Sequence, residues 1–321
     1  MVLVSAIVLT KDRLNLLKRA LKSVLNQTYT KLEIIIVDDN SSDGTKDYCT
    51  ELEKTHSNIK YIKINEKDSR GQNYARNVGV ENSKGKYVAF LDDDDEWYPE
   101  KIERYVYAFE NSVNPNIGIV YGMVEKINSY NNGKYIFKKI LAQDLLSDLN
   151  CDKKILYYNH IGCSSNPMIK REAFIEVGGF DTDLIMMTDF ELWIRICQKY
   201  DSLYVGKILT KYYSENNGRQ QITNSVDKLF IARNYINEKH KKLMNTLNKQ
   251  EIKEQKLNDY NLACQRFILI KDVKNYRKYL YKSMRIDFSF GKIIKYFLSF
   301  LGADKIIKLN MIKSIIRARN I

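Results

Sequence analysis

Lys86-Tyr87-Val88-Ala89-Phe90-Leu91-Asp92-Asp93-Asp94-Asp95 is an apolar run that stops dead on four aspartates. From Tyr87 to Leu91 there is no alternation of apolar and polar positions. That is the pattern of a strand covered on both faces, as in a parallel sheet. Three earlier runs repeat it: Leu3 to Leu9, Leu32-Glu33-Ile34-Ile35-Ile36-Val37, and Ile59 to Ile64. Between them lie helical patterns. Leu14, Leu17, Leu21 and Val24 recur at helical spacing with Asp12 as N-cap, and helices are also expected from about Thr45 to Lys54 and from Tyr74 to Glu81. Strands separated by helices predict a mainly parallel α/β sheet with helices on both faces. Ligands of such sheets bind at the carboxyl ends of the strands. Both acidic clusters, Asp38/Asp39 and Asp92 to Asp95, fall at those ends.

Further along, Ile117 to Ile127 reads as a strand that pairs with Tyr135 to Ile140 across the turn Asn131-Asn132-Gly133. Phe190, Trp193, Ile194 and Cys197 mark one face of a helix. Beyond about Val226 the pattern is helical, charged and almost free of glycine. A boundary near Asn217-Gly218 divides the chain into a domain of residues 1–217 and a helical basic region of residues 218–321.

Composition narrows the function. The chain has 52 Lys+Arg against 39 Asp+Glu, a formal charge of +13, which favours an anionic partner. Part of the excess is C-terminal: Gly291 to Ile321 holds Lys292, Lys295, Lys305, Lys308, Lys313, Arg317 and Arg319 against the single acid Asp304. With acidic strand ends and no recognition motif, a nucleic-acid enzyme is disfavoured. The five cysteines form no C-x-x-C pair and no zinc pattern. No apolar stretch reaches the roughly 20 residues of a membrane span, and the N-terminus lacks a basic leader region, so a cytoplasmic location is expected.

The residues that carry chemistry each admit a plain structural reading as well. Four adjacent carboxylates repel one another unless a cation compensates, and carboxylate oxygens are what magnesium and manganese prefer. The plain alternative is a solvated turn, with Asp95 or a neighbour capping the helix that starts near Pro99. Asp39, at the end of an apolar strand, can hold a base or ribose, or simply open an Asx-turn. In Thr188-Asp189-Phe190-Glu191-Leu192-Trp193, Thr188 and Glu191 can close a capping box, while Asp189 at the helix start can act as a general base. Arg76 can bind phosphate or base, or lie along a solvated helix face. There is no G-x-G-x-x-G and no G-x-x-x-x-G-K-[ST], so neither a dinucleotide site nor a P-loop is supported. His160, Trp97 and Trp193 read as core.

Together these segments resemble the family-two glycosyltransferases of the bacterial polysaccharide type, with the GT-A (nucleotide-diphospho-sugar transferase) fold. The resemblance rests on Val4 to Thr10, Ser23 to Tyr29, Leu32 to Thr45, Ala75-Arg76-Asn77-Val78-Gly79, Gly85 to Asp95, Gly178-Gly179-Phe180-Asp181 and Thr188 to Trp193, in order across about residues 1–200. It implies a Rossmann-like catalytic domain with a helical C-terminal extension. It also implies that Thr10, Asp39 and Arg76 hold the nucleotide, that Asp92 or Asp93 contacts ribose or sugar, and that Asp94 of Asp92-x-Asp94 binds Mn2+ or Mg2+. Asp189 matches the catalytic base of an inverting, single-displacement enzyme. The donor would be a nucleotide-diphosphate sugar, with a uridine diphosphate sugar favoured, and the acceptor a glycan or lipid-linked hydroxyl in surface-polysaccharide synthesis. Two departures stand out: Thr10-Lys11-Asp12-Arg13 replaces the usual Thr-Tyr-Asn-Arg, and Thr188 replaces the glutamate before the base.

Three alternatives follow from the same residues. One is a catalytically silent nucleotide- or glycan-binding module of an assembly complex. Another is a nucleotidyltransferase, against which stands the lack of a glycine-rich, lysine-bearing phosphate loop. The third concerns the C-terminal region alone. Its apolar stripes with basic neighbours fit a peripheral anchor on an anionic membrane surface or a helical bundle packed on the catalytic domain.

Overall fold

A computed structural model of the chain describes residues 1–130, 135–141, 151–215 and 225–318. Its first part alternates β1 (Val4–Thr10), α1 (Leu14–Leu25), β2 (Leu32–Asp38), α2 (Thr45–Thr55), β3 (Ile59–Lys63), α3 (Gln72–Glu81) and β4 (Tyr87–Asp92). Then follow β5 (Glu96–Trp97), α4 (Lys101–Glu110), β6 (Ile117–Tyr130), β7 (Tyr135–Leu141), α5 (Cys151–Lys154), β8 (Met168–Lys170), α6 (Arg171–Glu176), α7 (Thr188–Cys197) and β9 (Asp201–Glu215). The described remainder is helical: α8 (Val226–Lys239), α9 (Lys241–Met244), α10 (Lys249–Leu269), α11 (Val273–Ile286), α12 (Phe290–Leu298) and α13 (Ala303–Ala318).

The strands form one sheet in the order β3-β2-β1-β4-β8-β6-β9-β5, with β7 beside β6. The four N-terminal strands are mutually parallel, as the uninterrupted apolar runs require. From β8 onward the sheet is mixed. β8 runs antiparallel to both β4 and β6, β7 and β5 are antiparallel to their partners, and β6 and β9 are parallel. The turn expected at residues 131–133 lies outside the described residues.

Two apolar clusters show why the N-terminal strands lack alternation. Ile7, Ile35, Val37, Val88 and Phe90 point to one face; Val4, Ala6, Val8, Ile34, Ile36, Ala89 and Leu91 point to the other. Every second residue changes sides, and both sides are covered by helices. The second face packs Leu17, Leu21 and Val24 of α1 and Ile102, Tyr105 and Phe109 of α4. The first packs α7 and, continuous with it, Leu229 and Ile236 of α8 and Ala263 and Phe267 of α10. The boundary placed at 217/218 lies outside the described residues.

Two expected caps are replaced by other contacts. The N-cap position of α1 is Arg13, not Asp12, and makes no side-chain cap bond. Asp12 is left-handed at φ 51° and accepts from Ser42 N–H and Oγ. The free Leu14 N–H donates instead to Asp43 Oδ2 at 2.8 Å, so the β2–α2 loop caps α1 from across the sheet end. At α7 the N-cap position is Met187, left-handed at φ 60°, and no capping box forms between Thr188 and Glu191. Glu191 is drawn away by cations on α7 and α8. The Asp92–Asp95 run does not cap α4 either, whose N-cap position is Glu100 with no side-chain bond.

Candidate active site

The parallel register brings the motif residues to one edge. Thr10 lies opposite Asp38, and Leu9 opposite Asp92, so β1, β2 and β4 end level. Beyond this edge the backbone turns tightly, Asp95 N–H donating to Asp92 O at 3.0 Å, and the aspartate side chains fan apart.

Each aspartate has different partners. Asp92 accepts from Arg76 Nη2 at 2.7 Å and from Ser164 Oγ at 3.1 Å, while its own N–H donates to Ser165 Oγ at 3.1 Å. Asp93 accepts from Thr10 Oγ1 and from Arg13 Nη1, both at 2.9 Å. The same Arg13 nitrogen reaches Asp94 Oδ2 at 3.1 Å. Asp95 is buried and accepts from Tyr213 N–H at 3.1 Å.

Electrostatically the loop is short of positive charge. Burial, then the Asp94 and Asp92 charges, push Asp93 up to about 7 against Arg13 and Thr10. Burial and Asp92 raise Asp94, and burial with Asp94 and Asp92 raises Asp95 well above its ordinary value. Carboxylates so placed gain from an added cation. Among the described residues no three His, Cys, Asp or Glu side chains converge to complete a metal shell. The residues therefore suit an ion held by one or two carboxylates, with phosphate and water oxygens filling the rest, which is the habit of magnesium and manganese.

Arg76 ties this loop to the second carboxylate. It is buried in α3, bonds Asp92, and lies 5.1 Å over the ring of Phe180. Phe180 is fixed in turn by Asn77, whose Oδ1 accepts the Phe180 N–H and whose Nδ2 donates to the Phe180 carbonyl. The preceding Gly179 is left-handed at φ 69°, and a Cβ there would sit 2.7 Å from Asn77 Oδ1. Only glycine allows α3 this close. Arg76 also lies close enough to Asp189, at the start of α7, for its charge to act on that carboxyl. Asp189 Oδ1 accepts the Phe190 N–H at 2.7 Å, and burial, with Asp92 adding to it, raises its carboxyl to about 6 against Phe190 N–H and Arg76.

The structure thus gathers Thr10, Asp93 and Asp94 around Arg13, and pairs Asp92 with Arg76, the two groups joined through the backbone of the Asp92–Asp95 loop, with Asp189 within electrostatic reach of Arg76 and Asp92. Asp39 stands apart from both groups. Its N–H bonds Thr10 O, but its carboxylate takes Ser69 Oγ at 2.5 Å and Lys11 Nζ at 3.2 Å.

Two supports escaped the sequence reading. Ser164 and Ser165 hold Asp92 from a loop with no motif of its own. That loop is held by Lys101, which is fully buried and donates to Ser165 O at 2.8 Å, Asn166 O at 2.6 Å and Thr210 Oγ1 at 2.8 Å. Burial pulls its ammonium well below the ordinary lysine value. The available signal was periodicity: Lys101 shares the inward face of α4 with Ile102, Tyr105, Val106 and Phe109.

Comparison with known proteins bears on what such a site does. A model of glycosyl transferase family 2 matches residues 5–178. An uncharacterized glycosyltransferase of Haemophilus influenzae is 30% identical over 69% of this chain and 71% of its own length. The GalNAc(5)-diNAcBac-PP-undecaprenol beta-1,3-glucosyltransferase of Campylobacter jejuni is 28% identical over 96% of this chain and 97% of its own. A Rickettsia bellii glycosyltransferase is 32% identical over 68% of this chain, which spans only 31% of that longer relative. Among solved structures, the mannosyltransferase PcManGT of Pyrobaculum calidifontis, in complex with GDP-Man and Mn2+, superposes with TM-score 0.56 at 16% identity, covering 95% of this chain and 84% of that one. S. aureus TarS 1-349 in complex with UDP-GlcNAc gives TM-score 0.55 at 15% identity, covering 93% and 91%.

Proposed function

This chain belongs to glycosyl transferase family 2 and has the GT-A fold, and on that premise we propose that it transfers a sugar from a nucleotide-diphosphate donor to a glycan hydroxyl with inversion. The observation that carries the reading is the gathering of Arg76 and the Asp92–Asp94 carboxylates at the strand ends, Arg76 bonded to Asp92 and with Asp189 within reach of its charge.

The roles follow from the surroundings of each group. Thr10 and Asp39 lie at adjacent strand ends and would hold the nucleoside, with Asp92 or Asp93 toward ribose or sugar. Asp94, and one neighbour, would hold a manganese or magnesium ion. That ion, when bound, supplies positive charge to the leaving diphosphate. Asp189, raised to about 6, is ionised at neutral pH yet basic enough to take a proton. It accepts the acceptor's hydroxyl proton as that oxygen bonds the anomeric carbon and the carbon–phosphate oxygen bond breaks. The nucleoside diphosphate leaves with the electron pair. One displacement inverts the centre without a covalent enzyme intermediate.

The donor we favour is a uridine diphosphate sugar, and the acceptor a lipid-linked glycan. The acceptor class rests on the Campylobacter relative, which matches nearly the whole chain and whose substrate is an undecaprenol diphosphate glycan. Calorimetric titration with uridine, guanosine and deoxythymidine diphosphates, with and without Mn2+, tests the donor side. Manganese-dependent binding of one diphosphate, abolished in Asp94→Asn, is the expected result. No binding of any by the folded protein overturns the proposal.

A further inference from the structure

The C-terminal helices carry an apolar surface that the proposed reaction leaves unexplained. None of the nine residues of α12 is buried. Phe288, Phe290, Phe297, Phe300 and Leu301 are between 62% and 75% exposed. Phe290 and Phe297 stand seven residues apart, two helical turns, and so share a face. Tyr296 places its ring edge-on to both Phe297 and Phe300, joining them into one patch. Large exposed aromatic clusters on a folded chain mark a surface that meets something apolar.

The charge around the patch says what that is. From Val273 to Asn310 there are nine basic residues and two acids, and both acids are paired, Asp287 with Lys292 and Asp304 with Lys271. Lys274, Lys278 and Arg285 are exposed on α11 at the i, i+4 and i+11 positions of one stripe, and Lys305 and Lys308 are exposed on α13. Arg277 stacks its guanidinium 4.3 Å over the exposed Phe300 ring, putting a cation inside the apolar patch. Aromatic side chains beside an excess of lysines and arginines match an acyl boundary beneath anionic headgroups. A second copy of the chain would bring the same positive rim to the contact and be repelled. Among the described residues no helix is long and apolar enough to cross a membrane.

We infer that the α11–α12 surface binds the face of an anionic lipid bilayer, with Phe290, Phe297 and Phe300 inserted and the α11 cations on the headgroups. This goes beyond the proposed reaction and does not depend on it. The test is co-sedimentation of the full chain with phosphatidylcholine vesicles containing roughly one third phosphatidylglycerol, against phosphatidylcholine alone, at low and high salt.

The unmodified protein is expected to sediment with the anionic vesicles and to be released by salt. Joint neutralisation of Lys274, Lys278 and Arg285 to Gln weakens binding by roughly a hundredfold, about fivefold for each charge removed. Changing Phe290, Phe297 and Phe300 to Ser lowers binding by at least as much. All six side chains are at the surface, so circular dichroism and nucleoside diphosphate binding should be unchanged. Absence of sedimentation, equal binding to both vesicle types, or unaltered binding by both variants overturns the inference. So does a lipid-free dimer that the serine variant dissolves. Donor binding, read separately, survives or fails regardless of these results.

Discussion

Two acidic regions of this molecule, the strand-end loop Asp92–Asp95 and Glu191 in α7, have opposite electrostatics. At Asp92–Asp95, the buried carboxylates outnumber the cations that touch them, and Asp93, Asp94 and Asp95 are all raised. At Glu191, fully buried in α7, the cations are in excess. Arg195 binds it through two nitrogens, and Lys239 and His240 reach over from the end of α8. Burial alone would raise Glu191, but the His240 and Arg195 hydrogen bonds outweigh it and hold the carboxyl at about 2. The difference separates a carboxylate that is finished from one that is waiting. A satisfied buried ion cluster fixes where α8 docks on α7; an under-compensated one stores affinity for a cation that arrives with substrate.

The largest effects should come from the waiting group. Asp189→Asn and Asp94→Asn are each expected to cut turnover by roughly 10²–10⁴-fold with the fold intact, measured as sugar transfer alongside circular dichroism. If either retains near-normal turnover, the two regions do not differ as described.

Breaking the finished cluster should do the reverse. Glu191→Gln strips Arg195 of its carboxylate partner and leaves Lys239 with Asp181 alone, and is expected to cost roughly 3–5 kcal/mol in denaturant unfolding, while turnover per folded molecule changes little. The sign with pH is specific. Because folding lowers Glu191 from an ordinary 4.5 to about 2, its contribution is full above 4.5 and disappears as pH falls through about 2. The variant should lose that acid-side slope.

Lys101→Met lies between the two cases, since a satisfied buried ammonium here supports a catalytic loop. It should cost on the order of 3 kcal/mol, by leaving the Asn166 carbonyl unpaired and the Ser165 carbonyl with Trp97 Nε1 as its main donor, and also reduce kcat by loosening Asp92. A stability loss with unchanged kcat would make Lys101 structural only.

Asp189 gives a pH test of opposite sign to Glu191. Its turnover should fall about tenfold per unit as pH drops below about 6, because the base becomes protonated. Its stability contribution runs the other way. The folded value lies above the ordinary 3.8, so ionisation works against folding as pH rises through about 6, and Asp189→Asn should melt higher than wild type at neutral pH. The smallest effect belongs to Arg13, which is 39% exposed at its side chain and bridges Asp93 and Asp94. Arg13→Gln should tighten Mn2+ binding in the absence of nucleotide by no more than about fivefold.

How much of this was legible beforehand depended on range. The runs Leu32–Val37 and Tyr87–Leu91 announced buried parallel strands, and their acidic ends announced where a ligand would sit, because strand burial and strand ends are local facts. Contacts made across the fold were not legible. Nothing in the spacing shows that Asp43 caps α1, or that Glu191 would leave Thr188 for His240, 49 residues away. The local rule for a capping box was satisfied on paper, and Arg195, Lys239 and His240 from other turns outbid it. Lys101 was hidden for the same reason: a lysine near a helix start reads as solvated until a serine loop from 64 residues away closes over it.

The most direct test pairs donor binding with turnover in the two aspartate variants, measured side by side at neutral pH with Mn2+. The account predicts that Asp94→Asn loses both nucleotide-diphosphate binding and transfer, whereas Asp189→Asn binds donor normally and transfers nothing. Transfer by Asp189→Asn at a rate near wild type, or loss of donor binding with it, would contradict the division of labour on which the account stands.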